Sequence, residues 1–336
     1  MNIYEVAERA GVSIATVSRV INRSAKVSSA TRAKVEKVLE EMEYTPSAVA
    51  RSLATNATRL VGILCSDNRD PAFAESIFYA EQTLAAEGYD CLMGNATGDL
   101  KQKDYYIKGL LERKADGVLM FGASFEDEGE QNLLKLAAKR MPVVMVASTT
   151  KAKEVYQVTS KEDVAVASIV KGLALSGHKH FAYLYDATSP SARIKLNGFE
   201  RGLEESGLGG ANGAAVRVAK GFHGGFTGAR WLIDHGLFFT ALLTSEDALA
   251  AGALKALIQS GRRVPDDVCV FGHNNSELCL CTAPSLSSVD NRMEELARLG
   301  VRTLQSAMNS FKKPLQVAQI PAKIVQRDSS VPFDVE

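Results

Sequence analysis

A short run near the start of the chain, Ser13 to Asn22, combines side chains suited to contacts with nucleic acid. Arg19 carries a planar guanidinium whose fork matches the O6 and N7 acceptors of guanine. Ile14 and Ala15 are apolar: they suit a thymine methyl but form no bidentate hydrogen-bond pair. Ser13, Thr16, Ser18 and Asn22 offer short polar groups that suit phosphate oxygens, contacts that fix register without reading sequence. Asn2 and Thr31 are candidates for the same task, with helix capping as the alternative role.

The elements that must hold these groups are legible around them. In IYEVAERAGVSIATVSRVIN (3–22), Ile3, Val6, Ala7, Val17, Val20 and Ile21 recur at helical spacing and give two short helices one shared apolar face. Ala7 is small where the helices approach, Gly11 stands where the turn requires positive φ, and Ser13 is placed to cap the second helix. A helical hairpin shares single features of this pattern; their joint spacing is that of a helix-turn-helix, whose second helix enters the DNA major groove. Ser28 or Ser29 opens a third helix with Val35, Val38, Leu39 and Met42 as its inner stripe.

The whole chain sets bounds on function. It has 336 residues, 46% hydrophobic, with 39 basic against 39 acidic side chains, so no global charge marks it for nucleic acid or membrane. Residues 1–57 hold eight Lys/Arg and six Asp/Glu, a net of +2 (8 − 6), only mildly basic. Cysteines 65, 91, 269, 279 and 281 lie mostly in apolar surroundings. With no signal-peptide pattern before Tyr4 and no apolar run near a membrane span, a cytoplasmic protein with reduced thiols is expected.

From Leu60 short apolar strands alternate with amphipathic helices. Strands are expected at 60–65, 90–95, 117–121, 142–147, 156–160, 181–186, 214–219, 241–245 and 268–272. Helices are expected near 72–87, 100–113, 128–139, 161–176, 190–206, 225–235, 246–260 and 291–309. Buried strands separated by helices mean parallel sheets, and so many units imply two doubly wound subdomains with a ligand cleft at the strand C-terminal ends. The expected fold is thus a small all-α headpiece plus an α/β core of two parallel-sheet subdomains.

Taken together, the first phrase, the second phrase KVSSATRAKVEKVLEEMEYTPSAVARSLA, and the core phrases SGHKHFAYL, SARIKLNGF, LLTSEDALAAGALKAL and PSLSSVDN resemble the LacI family of bacterial transcription repressors over essentially the whole chain. Among its branches the catabolite control proteins look nearest. The resemblance implies a periplasmic-binding-protein-like core and a homodimer on a two-fold symmetric operator. It implies a headpiece over 1–45, a hinge and linker over 46–58 and a core over 59–336. Within the core an N-subdomain would cover about 59–158 and 289–318, and a C-subdomain about 159–288 and 319–336. The hinge PSAVARSL is too short to be a stable helix in water alone. In the family it folds on the operator and a leucine wedges into the minor groove. That role falls here on Leu53, with Ala50 and Ala54 small enough for paired hinges to approach.

The same resemblance places a small-molecule effector between the subdomains. Arg193 and Phe73 match effector-contacting positions. Lys161, His223, Glu246 and Asn274 stand where the family carries an Asp, an aromatic, an Asn and an Asp respectively. Lys161 and Asn274 in place of carboxylates make the expected site more donating and more positive, which implies an anionic effector, such as a phosphorylated sugar or organic acid, or a degenerate site. The catabolite-control likeness offers an alternative, a phosphorylated carrier protein docking at Arg302.

Enzyme readings find no residues to rest on. The glycines of GLGGANG (207–213) lack G-x-G-x-x-G spacing and follow a helix, and neither G-x-x-x-x-G-K-[ST] nor G-x-S-x-G occurs. His273, Cys279 and Cys281 make a poor zinc pattern. No cofactor and no membrane partner are expected.

Overall fold

A computed structural model describes residues 2–21, 26–43, 57–96, 100–209, 212–309 and 316–334. Asn22 and the hinge residues Ala50, Leu53 and Ala54 lie outside them. The chain divides into two compact units, Met1–Arg59 and Leu60–Glu336.

The first unit holds α1 (Ile3–Ala10), α2 (Ile14–Ile21) and α3 (Ser29–Glu41). Gly11 ends α1 with φ of 58°, a left-handed conformation that costs glycine little. Ser13 accepts a hydrogen bond from the Thr16 N–H at 3.2 Å, and Ser28 one from the Thr31 N–H at 3.3 Å, so Ser28 rather than Ser29 caps α3. Val6, Ala7, Ala10, Val17, Val20, Val35, Val38 and Met42 form one core. Each valine so buried contributes roughly 1.5–3 kcal/mol relative to exposure.

The second unit has two lobes. In the first, β1 (Leu60–Cys65), β2 (Asp90–Asn95), β3 (Gly117–Phe121), β4 (Val143–Val146), β5 (Tyr156–Ser160) and β11 (Val317–Ile320) form a parallel sheet in the order β11-β5-β4-β3-β1-β2. Helices α4 (Pro71–Ala86), α5 (Leu100–Glu112) and α6 (Glu128–Ala138) connect its strands. In the second lobe, β6 (Phe181–Tyr185), β7 (Gly213–Arg217), β8 (Ala241–Thr244), β9 (Cys269–His273), β10 (Ser287–Asp290) and β12 (Lys323–Val325) follow the order β12-β10-β9-β8-β6-β7, with only β12 antiparallel. Here α7 (Glu162–Leu175), α8 (Pro190–Glu205), α9 (Gly221–Asp234), α10 (Asp247–Gln259) and the short α11 (Leu278–Cys281) cover the sheet. The chain passes between lobes after Ser160, after Asp290, where α12 (Met293–Met308) packs back on the first lobe, and after Ile320.

Local chemistry sets these boundaries. Asp70 and Ser189 cap α4 and α8, each followed by a proline whose fixed φ suits a first turn. Strands β3, β4, β8 and β9 are buried along their whole length, which is why they read as unbroken apolar runs. Helix α9 starts at Gly221, four residues before the expected 225, because the glycines that lower its propensity are packing residues. A Cβ on Gly225 would stand 1.9 Å from the Leu249 carbonyl oxygen, and one on Gly252 would stand 1.9 Å from that of Phe222. Only glycine lets α9 and α10 approach this closely.

Candidate nucleic-acid interface and inter-lobe cleft

On α2 the buried and exposed faces separate as the periodicity requires. Val17 and Val20 point into the core, whereas Ile14, Ala15 and Arg19 are exposed. Thr16 and Ser18 are half-buried beside them. The Ser13 and Thr16 hydroxyls are 2.9 Å apart, so one O–H donates to the other hydroxyl and the second can donate outward, while the Ser13 oxygen also accepts the capping N–H. The same arrangement recurs between Ser28 and Thr31, also at 2.9 Å. Asn2 is different: its side-chain oxygen accepts from the Tyr4 and Glu5 N–H groups at 2.9 and 3.1 Å, and its amide donates to Glu5. The structure therefore gives Asn2 the capping role.

In the core, a cavity of about 370 Å³ opens between the lobes. Asp67 and Asp70 follow β1, Gly122 and Ser124 follow β3, Glu162 follows β5, Asp186 follows β6, Lys220 follows β7, Glu246 follows β8, Asn274 follows β9 and Asn291 follows β10. This is the crevice at the carboxyl ends of parallel strands where open α/β sheets bind ligands.

Of the six residues expected there, Phe73, Glu246 and Asn274 line the cavity. The Phe73 ring fills the space above Gly122, where a Cβ would lie 2.1 Å from it. Lys161, Arg193 and His223 do not line it. Lys161 is exposed at the N-cap of α7, and the next residue, Glu162, faces the cavity instead. On α8, Lys195 takes the place expected of Arg193, since two residues along a helix rotate a side chain by about 200°. His223 is exposed on α9, which presents Lys220 from its N-cap.

The charges of the cleft are largely matched internally. Lys195 donates to the Ser245 carbonyl at 3.0 Å and stands 3.7 Å from Glu162. Lys220 lies 3.4 Å from Asp67 and 3.8 Å from Asp70. Lys103 donates to the Ser124 carbonyl at 2.6 Å and pairs with Glu130. The hydrogen bond from Arg69 holds the Asp67 carboxyl well below the usual carboxylate range. Burial lowers the His273 pKa; its Nε2 is 3.3 Å from Glu162 without the alignment of a hydrogen bond.

Two cleft carboxylates have no ion pair among the described residues. Asp186 accepts from the Ser245 hydroxyl at 3.0 Å, and Glu246 accepts from the Gly221 N–H at 2.9 Å. Burial and the charge of Asp186 push Glu246 up to about 7, against the opposing hydrogen bond from Gly221. With five carboxylates and three lysines on its walls, the cleft is rich in acceptors. Of the two residues whose types implied an anionic ligand, Asn274 lines the cavity and Lys161 does not, and the three lysines that do line it stand against five carboxylates.

The residues that sequence reasoning missed, Asp67, Asp70, Asp186, Lys195 and Lys220, mostly lie within a few positions of a strand end. That placement was the available signal. Among the described residues no group of three His, Cys, Asp or Glu is placed to hold a metal ion, and no described helix is long and apolar enough to cross a membrane.

Known proteins match both units of the chain. The family described as bacterial regulatory proteins, lacI family, matches residues 2–47, and the periplasmic binding protein-like domain matches residues 170–330. An HTH-type transcriptional regulator of Lachnoclostridium phytofermentans is 35% identical over 316 residues, covering 94% of this chain and 95% of the relative. Catabolite control protein A of Priestia megaterium is 29% identical, covering 98% and 99%. The lac repressor dimer bound to operator and the anti-inducer ONPF superposes with a TM-score of 0.88 at 24% identity, covering 99% of each chain.

Proposed function

Since the chain belongs to the lacI family of bacterial regulatory proteins, and is thus a DNA-binding transcriptional regulator rather than an enzyme, we propose that it represses transcription as a homodimer on a two-fold symmetric operator, released or engaged by a neutral, hydroxyl-rich effector in the inter-lobe cleft. One helix-turn-helix reads a half-site, and a symmetric pair reads two. Exposed Leu92 and Met93 on the edge strand β2, with Tyr105 beside them, supply apolar surface for a second copy. Arg19 reads one base pair per half-site, Ile14 and Ala15 lie against base edges, and Ser13, Thr16, Ser18, Asn22 and Thr31 set register on phosphates. Ala50, Leu53 and Ala54 act at the centre of the operator.

The observation that carries the effector class is the pairing of each cleft lysine with a carboxylate, which leaves Asp186 and Glu246 as open acceptors for ligand O–H groups. A ligand changes DNA affinity only by as much as it prefers one lobe arrangement over another. A thermal-shift screen of the full chain against neutral sugars, sugar phosphates, organic acids and nucleosides tests this. Ligand at 100 times its Kd adds about 2.7 kcal/mol, which moves the melting temperature by a few degrees. Stabilisation by neutral sugars, with loss of affinity in Asp186→Asn, is expected. Stabilisation confined to phosphorylated compounds would sink the neutral reading.

A second reading, docking of a phosphorylated carrier protein, is favoured by Arg302 alone. It is exposed on α12, whereas Arg298 one turn earlier is bound to Glu294 at 2.9 Å. Loss of carrier binding in Arg302→Ala would support it, and a carrier that leaves operator affinity unchanged would remove it.

A further inference from the structure

A second cavity, of about 380 Å³, lies between the lobes and shares no lining residue with the cleft. The first lobe contributes Glu126, Gln131, Thr150 and Lys151, and the second contributes Arg193 and Asn197. Its floor is built. Gln131 donates to the Phe125 carbonyl and to the Thr150 hydroxyl at 3.2 Å, and the Thr150 N–H donates to Gln157 at 3.0 Å.

The donors above that floor are only partly used. Arg193 Nη2 donates to Glu126 across the lobes at 2.7 Å and Nη1 donates to the Thr188 carbonyl, while its Nε–H has no acceptor among the described residues. Lys151 is exposed, and neither its ammonium nor the Asn197 amide has a hydrogen bond or ion pair among the described residues. The pocket is thus lined by a guanidinium, an ammonium and an amide with one exposed carboxylate, Glu126, which also accepts from the Ser124 hydroxyl at 2.8 Å.

We propose that this pocket is a regulatory oxyanion site, taking the phosphate group of free phosphate or of a small phosphomonoester. The oxyanion occupies the Arg193 fork in place of Glu126 and takes further donors from Lys151 and Asn197. A phosphate dianion outcompetes a single carboxylate here because it carries more charge and more acceptor oxygens in the same fork. Its binding replaces a direct contact between the lobes by one bridged through the ligand. It thereby acts on the lobe arrangement from outside the cleft, and by linkage on whatever that arrangement controls. The site stands apart from the effector reading, because it uses none of the cleft residues.

Titration calorimetry of the full chain with inorganic phosphate at low ionic strength tests the proposal. Saturable binding of one phosphate per chain is expected, weakened at least tenfold in Lys151→Ala and tightened several-fold in Glu126→Gln, which removes the competing carboxylate. Both positions are exposed, so both variants should fold. A hexose phosphate that binds more tightly than phosphate, with the same dependence on Lys151, identifies a phosphomonoester as the source; equal affinity identifies free phosphate. Non-saturable binding, unchanged affinity in both variants, or binding lost in Arg19→Ala instead would overturn it, the last by placing the anion on the headpiece.

Discussion

The Lys195 ammonium on α8 stands 3.7 Å from the Glu162 carboxylate at the start of α7, and both side chains are largely buried. Burial raises the cost of the Glu162 charge, and the Lys195 ammonium offsets it, so the carboxyl stays below its ordinary range. Removing one partner leaves the other charged and largely buried. Lys195→Met should therefore destabilise the core by roughly 3 kcal/mol, and adding Glu162→Gln should restore most of the loss. Urea unfolding of the two variants checks this; equal loss in both would show the groups to be uncoupled.

Glu246 gives the protein a defined pH response. Its folded-state value, about 7, lies above the ordinary carboxylate value of 4.5, so the native state holds the proton longer than the unfolded chain. Stability contributed by that proton is complete below about pH 4.5 and is lost as pH rises through 7. Glu246→Gln, which can still accept from Gly221, should raise core stability by roughly 2 kcal/mol at pH 8 and change it little at pH 5. Melting curves at the two pH values decide; an equal shift at both would locate the effect outside this titration.

For the headpiece, Arg19→Ala should cost roughly 1–3 kcal/mol of operator affinity and relax preference at one base pair per half-site. Selection of preferred sequences from a random DNA pool reads this directly. A variant with the wild-type preference would show that Arg19 contacts only the backbone.

Leu53→Ala should reduce the bend at the operator centre, since unstacking a base step costs a few kcal/mol and needs a wedge to hold it. Gel mobility of circularly permuted operator fragments measures the angle, and an unchanged bend removes Leu53 from that role.

The strands of the core were legible where an unbroken apolar run marks them. Expected 117–121 is β3, and expected 60–65 is β1, residue for residue. Strand β10 was not legible, because Ser287 and Ser288 break the apolar pattern. Both are fully buried and bonded, Ser288 to Asp247 at 2.6 Å and Ser287 to Ser330 at 2.8 Å. Strands β11 and β12 are short and half-exposed at sheet edges, where periodicity carries little. In the cleft, residue type was recoverable but helix phase was not. Arg193 and Lys195 are equally plausible from sequence, and only the turn of α8 about its axis decides between them.

The three passages between lobes also bear on how the protein is made. Strand β11 pairs with β5 in one sheet and β12 with β10 in the other, so the last two strands close edges in both lobes. On the ribosome the headpiece core is complete once Met42 has emerged, whereas neither lobe has all its strands until Val317–Val325 have followed. A chain cut short before Val317 would thus keep the headpiece core intact while leaving the sheets of both lobes without their last strands.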